Sequence, residues 1–171
     1  MRTLAGFDVG GSKTHALICD LDGNVLGFGE AGGGNPEMVG YDGLTRTLNA
    51  ALTPALDRAG LRREDIISAG FGIAGYDWAG QQNDMLKAIG GIGIQARISL
   101  ANDADLGLWA GTSTGWGIVA SAGTGNNVRG RTPDGRIGRI TGNAVRYGEF
   151  GGASEMIFTA LQRVAYMWTL R

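Results

Sequence analysis

Cysteine is almost missing: Cys19 is the only one in 171 residues. That excludes an internal disulfide and any multi-cysteine zinc or iron–sulfur centre built by one chain. The residues around Cys19 are apolar, which marks it as a small buried side chain. Long hydrophobic runs are missing as well. No stretch approaches the roughly 18 residues needed to cross a bilayer, and Arg2-Thr3 leads straight into a strand pattern instead of a signal-peptide core. A cytoplasmic protein with no membrane partner is expected. Nor is there an excess of either charge, because 15 Lys and Arg offset 16 Asp and Glu to leave a formal net charge of -1. Without a polybasic surface, nucleic acid and anionic lipid are excluded as main partners, and a small molecule is expected instead. The one histidine, His15, follows a glycine turn on a strand and reads as a structural or surface residue.

What is present points to a core and to many tight turns. The chain is 43% hydrophobic, enough for one domain or two small ones. It carries 32 glycines, well above the usual ~7%. They fall in short clusters between apolar segments with no collagen or linker period. Such glycines serve turns or close backbone–ligand contacts, and the pattern favours an enzyme whose loops converge on a site.

Residues 3–9, 14–21 and 24–30 read as three successive strands, the last two joined by Asp22-Gly23. Apolar residues at helical spacing predict a helix over 41–59, with a kink at Pro54 and an end near Gly60. The run 66–75 reads as a strand buried on both faces. Asp77 then suits the N-cap of a helix over 78–89. A strand over 94–100 and a short helix over 102–111, capped by Asn102 or Asp103, follow. "WGIVASAGTGNNVRG" reads as two strands folded around Gly123-Thr124-Gly125, extended by 131–139, before a final helix over 152–171. The order is a three-strand meander feeding parallel βα units. That predicts an α/β, ribonuclease H-like fold, a mixed five-stranded sheet with helices on both faces.

Three short segments carry the chemistry. In "DVGGSKT", the turn Gly10-Gly11-Ser12-Lys13-Thr14 has few side chains. Several backbone N–H groups can therefore approach an anion, with a hydroxyl from Ser12 or Thr14 as a further donor. Asp8, at the end of the first strand, suits a hydrated Mg2+ beside a bound phosphate. The same residues also suit an ordinary hairpin turn with a solvated Lys13, and the spacing is not that of a Walker A loop. "SAGTGNN" repeats the pattern with Gly123, Thr124 and Gly125, against the alternative of a type I′ or II′ turn. In "ANDAD", Asp103 stands where a parallel strand gives way to a helix, the edge at which open α/β sheets bind ligands. It can act as a general base toward a hydroxyl undergoing phosphorylation, or simply cap its helix.

The order "DVGGSKT", "NDA", "SAGTGNN" resembles the phosphate-1, connecting and phosphate-2 segments of the sugar kinase, Hsp70 and actin superfamily, in particular the BadF/BadG/BcrA/BcrD-type ATPase and N-acetylglucosamine kinase branch. The resemblance spans roughly residues 4 to 155. It implies an actin-like ATPase domain over 1–150, an interdomain helix over 151–171, and a C-terminal adenosine-binding domain outside this chain. It implies ATP and Mg2+ as cofactors and a sugar as substrate. Asp8 would organise the metal, Gly10 to Thr14 the β- and γ-phosphates, Thr124 with Gly123 and Gly125 the γ-phosphate, and Asp103 would be the base. Asn35 in "GGGNP" stands where the branch contacts its amino sugar, though it equally suits a turn before Pro36. Asn126 and Asn127 can line the sugar pocket.

The sequence departs from this pattern in "TGNAVRYGEFGGASEM". Asn143-Ala144 replaces a Trp-Gly pair, and Glu149 replaces an Asp that touches sugar. Glu149 remains a candidate for binding hydroxyls in a pocket of different shape. The length implies that a second half comes from elsewhere, with a homodimer or association with a C-terminal half as the expected assembly. Two other readings stand beside the kinase. One is a non-catalytic, nucleotide-sensing ATPase-fold protein. The other, the activator of 2-hydroxyacyl-CoA dehydratases, needs cluster-ligating cysteines near the second hairpin, and "SAGTGNN" has none.

Overall fold

In the computed structural model, which describes residues 1–140 and 150–170, the chain forms two compact units, Met1–Leu106 and Gly107–Arg171. The first is built on a five-stranded sheet. β1 (Thr3–Val9), β2 (Lys13–Cys19) and β3 (Val25–Gly32) form the antiparallel meander, while β4 (Ile66–Ile73) and β5 (Arg97–Ala101) run parallel to β1. The order across the sheet is β3-β2-β1-β4-β5. Asp22-Gly23 makes the β2–β3 turn as expected. Asp20 accepts from the N–H groups of Asp22 and Asn24 at 3.0 and 2.9 Å, and Gly23 takes a φ of 86° that a side chain would resist.

Alternation along the strands decides which face is covered. Ala5, Phe7 and Val9, Ala16 and Ile18, and Ala69, Phe71 and Ile73 all point to one buried face. There α1 (Pro36–Ala59) lies on β2 and β3, and α2 (Gln82–Gly90) packs beside α1. Glycine makes the approach close: a Cβ on Gly29 would lie 2.0 Å from the carbonyl oxygen of Ala51, and one on Gly27 2.1 Å from that of Ala55. On the opposite face, α3 (Asp103–Gly111) begins over β4, where a Cβ on Gly72 would lie 2.4 Å from Cγ of Leu106. The expected mixed sheet with helices on both faces is therefore present.

Two helix expectations need correction. α1 starts at Pro36, not residue 41, with Asn35 as its N-cap and Pro36 in the first turn. Its break is at Gly40 (φ 68°, ψ 170°), whereas the backbone stays helical through Pro54. The Pro54 ring instead packs toward β3, with Cγ 3.0 Å from where a Gly29 Cβ would sit. Asp77 does not cap a helix over 78–89. A 3-10 turn, Ala79–Gln81, comes first, and the Gln81 side chain accepts from the N–H groups of Asp77 and Trp78 at 2.9 and 2.8 Å.

The second unit holds an antiparallel three-stranded sheet, β6 (Gly117–Ala122), β7 (Asn126–Arg131) and β8 (Ile137–Ile140), followed by α4 (Ala153–Thr169). Apart from Glu155, the side chains of α4 are exposed, including Ile157, Phe158, Leu161 and Trp168. Among the described residues no helix is long and apolar enough to cross a membrane.

Candidate functional site

The residues singled out in the first unit gather along one edge of the sheet, where β1, β4 and β5 end. Asp8 is exposed and pairs in register with His15 on one side and Gly72 on the other. The turn after β1 closes through Gly10 N–H to Lys13 O at 2.9 Å, and Gly34 N–H donates to Gly10 O at 3.0 Å. A Cβ on Gly33 would lie 2.1 Å from Gly11 O, so the segment before α1 lies directly on the turn. Neither Gly10 nor Gly11 has a positive φ. What glycine contributes there is the missing side chain, leaving peptide groups open to an approaching anion.

Ser12 and Lys13 are exposed, but Thr14 is fully buried on the core face. Its Oγ1 has no hydrogen-bond partner. Ser12, and not Thr14, is thus the hydroxyl that this turn presents. His15 meets Glu30 at 3.1 Å and lies beside Phe28, a surface role in keeping with its sequence reading.

Contacts run from this turn to Asp103 without leaving the unit. Val9 O accepts from Ala74 N–H at 2.8 Å, joining the ends of β1 and β4. Asn35 caps α1, its Oδ1 accepting from Glu37 N–H at 2.9 Å. Gly75, at φ 79°, sits against that same oxygen: a Cβ there would lie 2.4 Å away. The next residues are tied to β5 through Asn102, whose Nδ2 lies 3.3 Å from both Tyr76 O and Asp77 Oδ1.

Asn102 is 2% exposed, and its Oδ1 accepts from Ala104 N–H at 3.0 Å. Of the two caps that the sequence offers, Asn102 and Asp103, it is the one that precedes the helix. Asp103 stands next to it as the first residue of α3, half-buried, with Oδ1 2.9 Å from Ala104 N–H. The sequence offers Asn102 as a helix cap, but nothing in it places Asn102, Gly75, Asp77 or Trp78 together on this edge.

The second unit holds the other glycine hairpin. Gly123 N–H donates to Gly125 O at 2.9 Å, and neither glycine takes the positive φ that a I′ or II′ turn demands. No atom lies within 4 Å of a Cβ placed on Gly123 or Gly125. The bare tip is held from behind by α4, whose first N–H groups, of Ala153 and Ser154, donate to Gly123 O and Thr124 O at 2.9 and 3.2 Å. Those two donors have no partner within the helix, so the loop and the helix start satisfy each other.

Asn126 Nδ2 donates to Phe150 O, while Asn127 Oδ1 accepts from Arg129 Nε at 3.1 Å. Asn126 Oδ1 and Glu155 Oε2 are buried acceptors with no partner. Glu149, together with Asn143 and Ala144, lies outside the described residues.

A mixed sheet in the order β3-β2-β1-β4-β5, with a glycine turn after β1 and an Asp at the β5–α3 junction, defines the actin-like ATPase and sugar kinase class of fold. The chain belongs to the BadF/BadG/BcrA/BcrD ATPase family, whose sequence model matches residues 5–167. It is 29% identical over 162 residues to an N-acetylmuramic acid/N-acetylglucosamine kinase of Clostridium acetobutylicum, a match covering 95% of this chain and 53% of that protein.

Among solved structures it resembles a proposed N-acetylglucosamine kinase from Chromobacterium violaceum at 26% identity and a TM-score of 0.67, covering 87% of this chain and 52% of that one. A proposed N-acetylglucosamine kinase from Porphyromonas gingivalis shares the fold at a TM-score of 0.69 and 20% identity, covering 96% and 57%. The chain spans about half the length of the relatives it matches.

Proposed function

We propose that this chain is the phosphate-binding, acceptor-activating half of an ATP-dependent sugar kinase acting on a hexose or amino sugar. The observation that carries this reading is the continuous edge running from the Gly10–Ser12 turn through Asn35 and Gly75 to Asn102 and Asp103, with Asn102 doing the capping. Asp103, whose Oδ1 also accepts from Ala104 N–H at 2.9 Å, takes the proton of an acceptor hydroxyl as that oxygen attacks the γ-phosphorus and ADP departs. The amide of Gly11 and the hydroxyl of Ser12 bind phosphate oxygens, with Lys13 as a nearby cation, while the Gly10 N–H closes the turn. Thr124 and Gly125 offer a second set of donors for the nucleotide's phosphates, on a loop closed by the Gly123 N–H. Asn35, Asn126, Asn127 and Glu149 remain the candidates for sugar hydroxyls.

Among the described residues no three His, Cys, Asp or Glu side chains cluster to hold a metal. Mg2+ is ordinarily held by one or two carboxylates plus phosphate oxygens and water. Asp8 is the carboxylate that would hold it, and the ion would neutralise phosphate charge. The exposed apolar side chains of α4 are where a C-terminal half or a second copy would pack.

The test is ADP release with Mg2+ and a panel of hexoses and amino sugars, N-acetylglucosamine and N-acetylmuramic acid included. Stimulation by at least one sugar supports the kinase. ATP binding with no stimulation by any sugar favours a nucleotide-sensing protein instead. The dehydratase-activator reading finds no support: it needs cluster-ligating cysteines near the second hairpin, and residues 121–127 carry none.

A further inference from the structure

The loop between β4 and α2, residues 74–81, is more firmly built than a connector requires. Its first residues are fixed by the contact of Gly75 with Asn35 and by Tyr76 N–H donating to Ile73 O at 3.2 Å. Its middle is fixed by Asn102, and the N–H groups of both Asp77 and Trp78 converge on Gln81 Oε1. Yet Trp78 is 57% exposed. A rigid backbone therefore presents an indole to solvent immediately beside a carboxylate. That carboxylate is bridged by a single Asn102 side chain to the segment carrying Asp103.

Indole offers a large flat apolar face with a polar edge, and holding it on a preformed loop removes most of the ordering cost of binding. A pyranose is the matching guest: one face of the ring is lined with C–H bonds and its rim with hydroxyls. Adenine would also stack on indole. The location argues for the sugar, because the loop touches Asn35 and Asn102, and Asn102 directly precedes Asp103, the base proposed for the acceptor hydroxyl.

We propose that Trp78, with Asp77 beside it, forms an acceptor subsite in which the indole stacks on the C–H face of the sugar and so orients its hydroxyl toward Asp103. This rests on the sugar kinase reading.

The experiment compares Trp78→Ala and Trp78→Phe with the parent protein, measuring KM for the stimulating sugar and KM for ATP separately. The Ala variant is expected to raise the sugar KM tenfold or more, with ATP KM within about twofold, and the Phe variant to recover most of the loss. A readout independent of turnover is the emission of Trp78 during sugar titration, in a background where Trp109, Trp116 and Trp168, all exposed, are replaced by Phe. A saturable change is expected.

Stimulated turnover with an unchanged sugar KM in Trp78→Ala overturns the subsite alone. So does a rise confined to ATP KM, which would assign the indole to the base. Binding of ATP with neither sugar-stimulated turnover nor sugar-dependent emission overturns the kinase reading itself.

Discussion

Gly72→Ala probes how the fold sets the position of Asp103. A methyl at residue 72 would sit 2.4 Å from both Cγ and Cδ1 of Leu106. Carbon atoms pack at about 3.5–4.0 Å, so the contact must open by more than about 1 Å. Because the clash includes Cγ, rotation about χ2 does not relieve it, and a leucine in a helix has only two χ1 wells open. The strain falls on χ1 and on α3 itself, whose first residue is Asp103. Overpacking of this kind costs about 1–3 kcal/mol, which leaves the fold intact. A displacement of about 1 Å at a reacting group costs on the order of a hundredfold in rate.

The expected result is a sugar-stimulated kcat lowered ten- to a hundredfold, with ATP KM nearly unchanged. The assay is ADP release alongside thermal unfolding of the same preparations. The double variant Gly72→Ala/Leu106→Ala removes the clash and should recover much of the rate, a coupling that two independent defects would not show. An unchanged kcat in Gly72→Ala, or no recovery in the double variant, would refute the claim that this contact positions Asp103.

Three further outcomes follow from packing and charge. Gly29→Ala places a methyl 2.0 Å from the Ala51 carbonyl oxygen, whereas Gly32, on the same strand, has open space. Denaturant titration should show a loss of about 3 kcal/mol for the first and little change for Gly32→Ala. Glu155 is 7% exposed and its Oε2 has no partner. Replacing it by Met, similar in length and without a polar oxygen, removes a buried-acceptor penalty of about 1–3 kcal/mol while giving up at most about 1 kcal/mol of favourable charge at the α4 N-terminus. Thermal unfolding should therefore move up by a few degrees, and a fall would show that the carboxylate is compensated. The Asp65 carboxyl is held below its ordinary value by the hydrogen bond from the Met1 amino group and by Arg62 N–H. Because the folded value is lowered, the stability it adds is complete above pH 3.8 and lost as pH falls through the folded value. Asp65→Asn should flatten that part of the acid unfolding curve, and an unaltered curve would remove the pair from the account.

Much of the first unit was legible because its signals are local. Alternation gave the strands, Asp22-Gly23 their turn, and the helical spacing of Leu44, Leu48, Leu52 and Leu56 the buried face of α1. The true start of α1 was hidden because Gly40 interrupts the helical pattern, so Asn35 and Pro36 did not read as cap and first turn. Asp77 looked like a cap because Asp is a good one, but a 3-10 turn over Ala79–Gln81 precedes α2, and Gln81 Oε1 accepts from the N–H groups of Asp77 and Trp78 themselves.

Gly27, Gly29 and Gly72 could be counted but not assigned, since their reason lies in what packs above them: Ala55, Ala51 and Leu106. The candidate site divided the same way. The glycine turns and Asp103 are short motifs in order. The edge joining Asn35, Gly75 and Asn102 depends on contacts between residues 25 to 40 positions apart in the chain and leaves almost no trace in sequence.

The most direct measurement is steady-state ADP release for Asp103→Asn beside Asp105→Asn, at a saturating level of whichever sugar stimulates the parent protein. A positioned general base contributes about 10²–10⁴-fold. Asp103→Asn should therefore lose that much kcat with ATP KM retained, while Asp105→Asn, which changes only a charge in the first turn of α3, should stay within a few-fold of the parent. Equal turnover in Asp103→Asn and the parent would contradict the account.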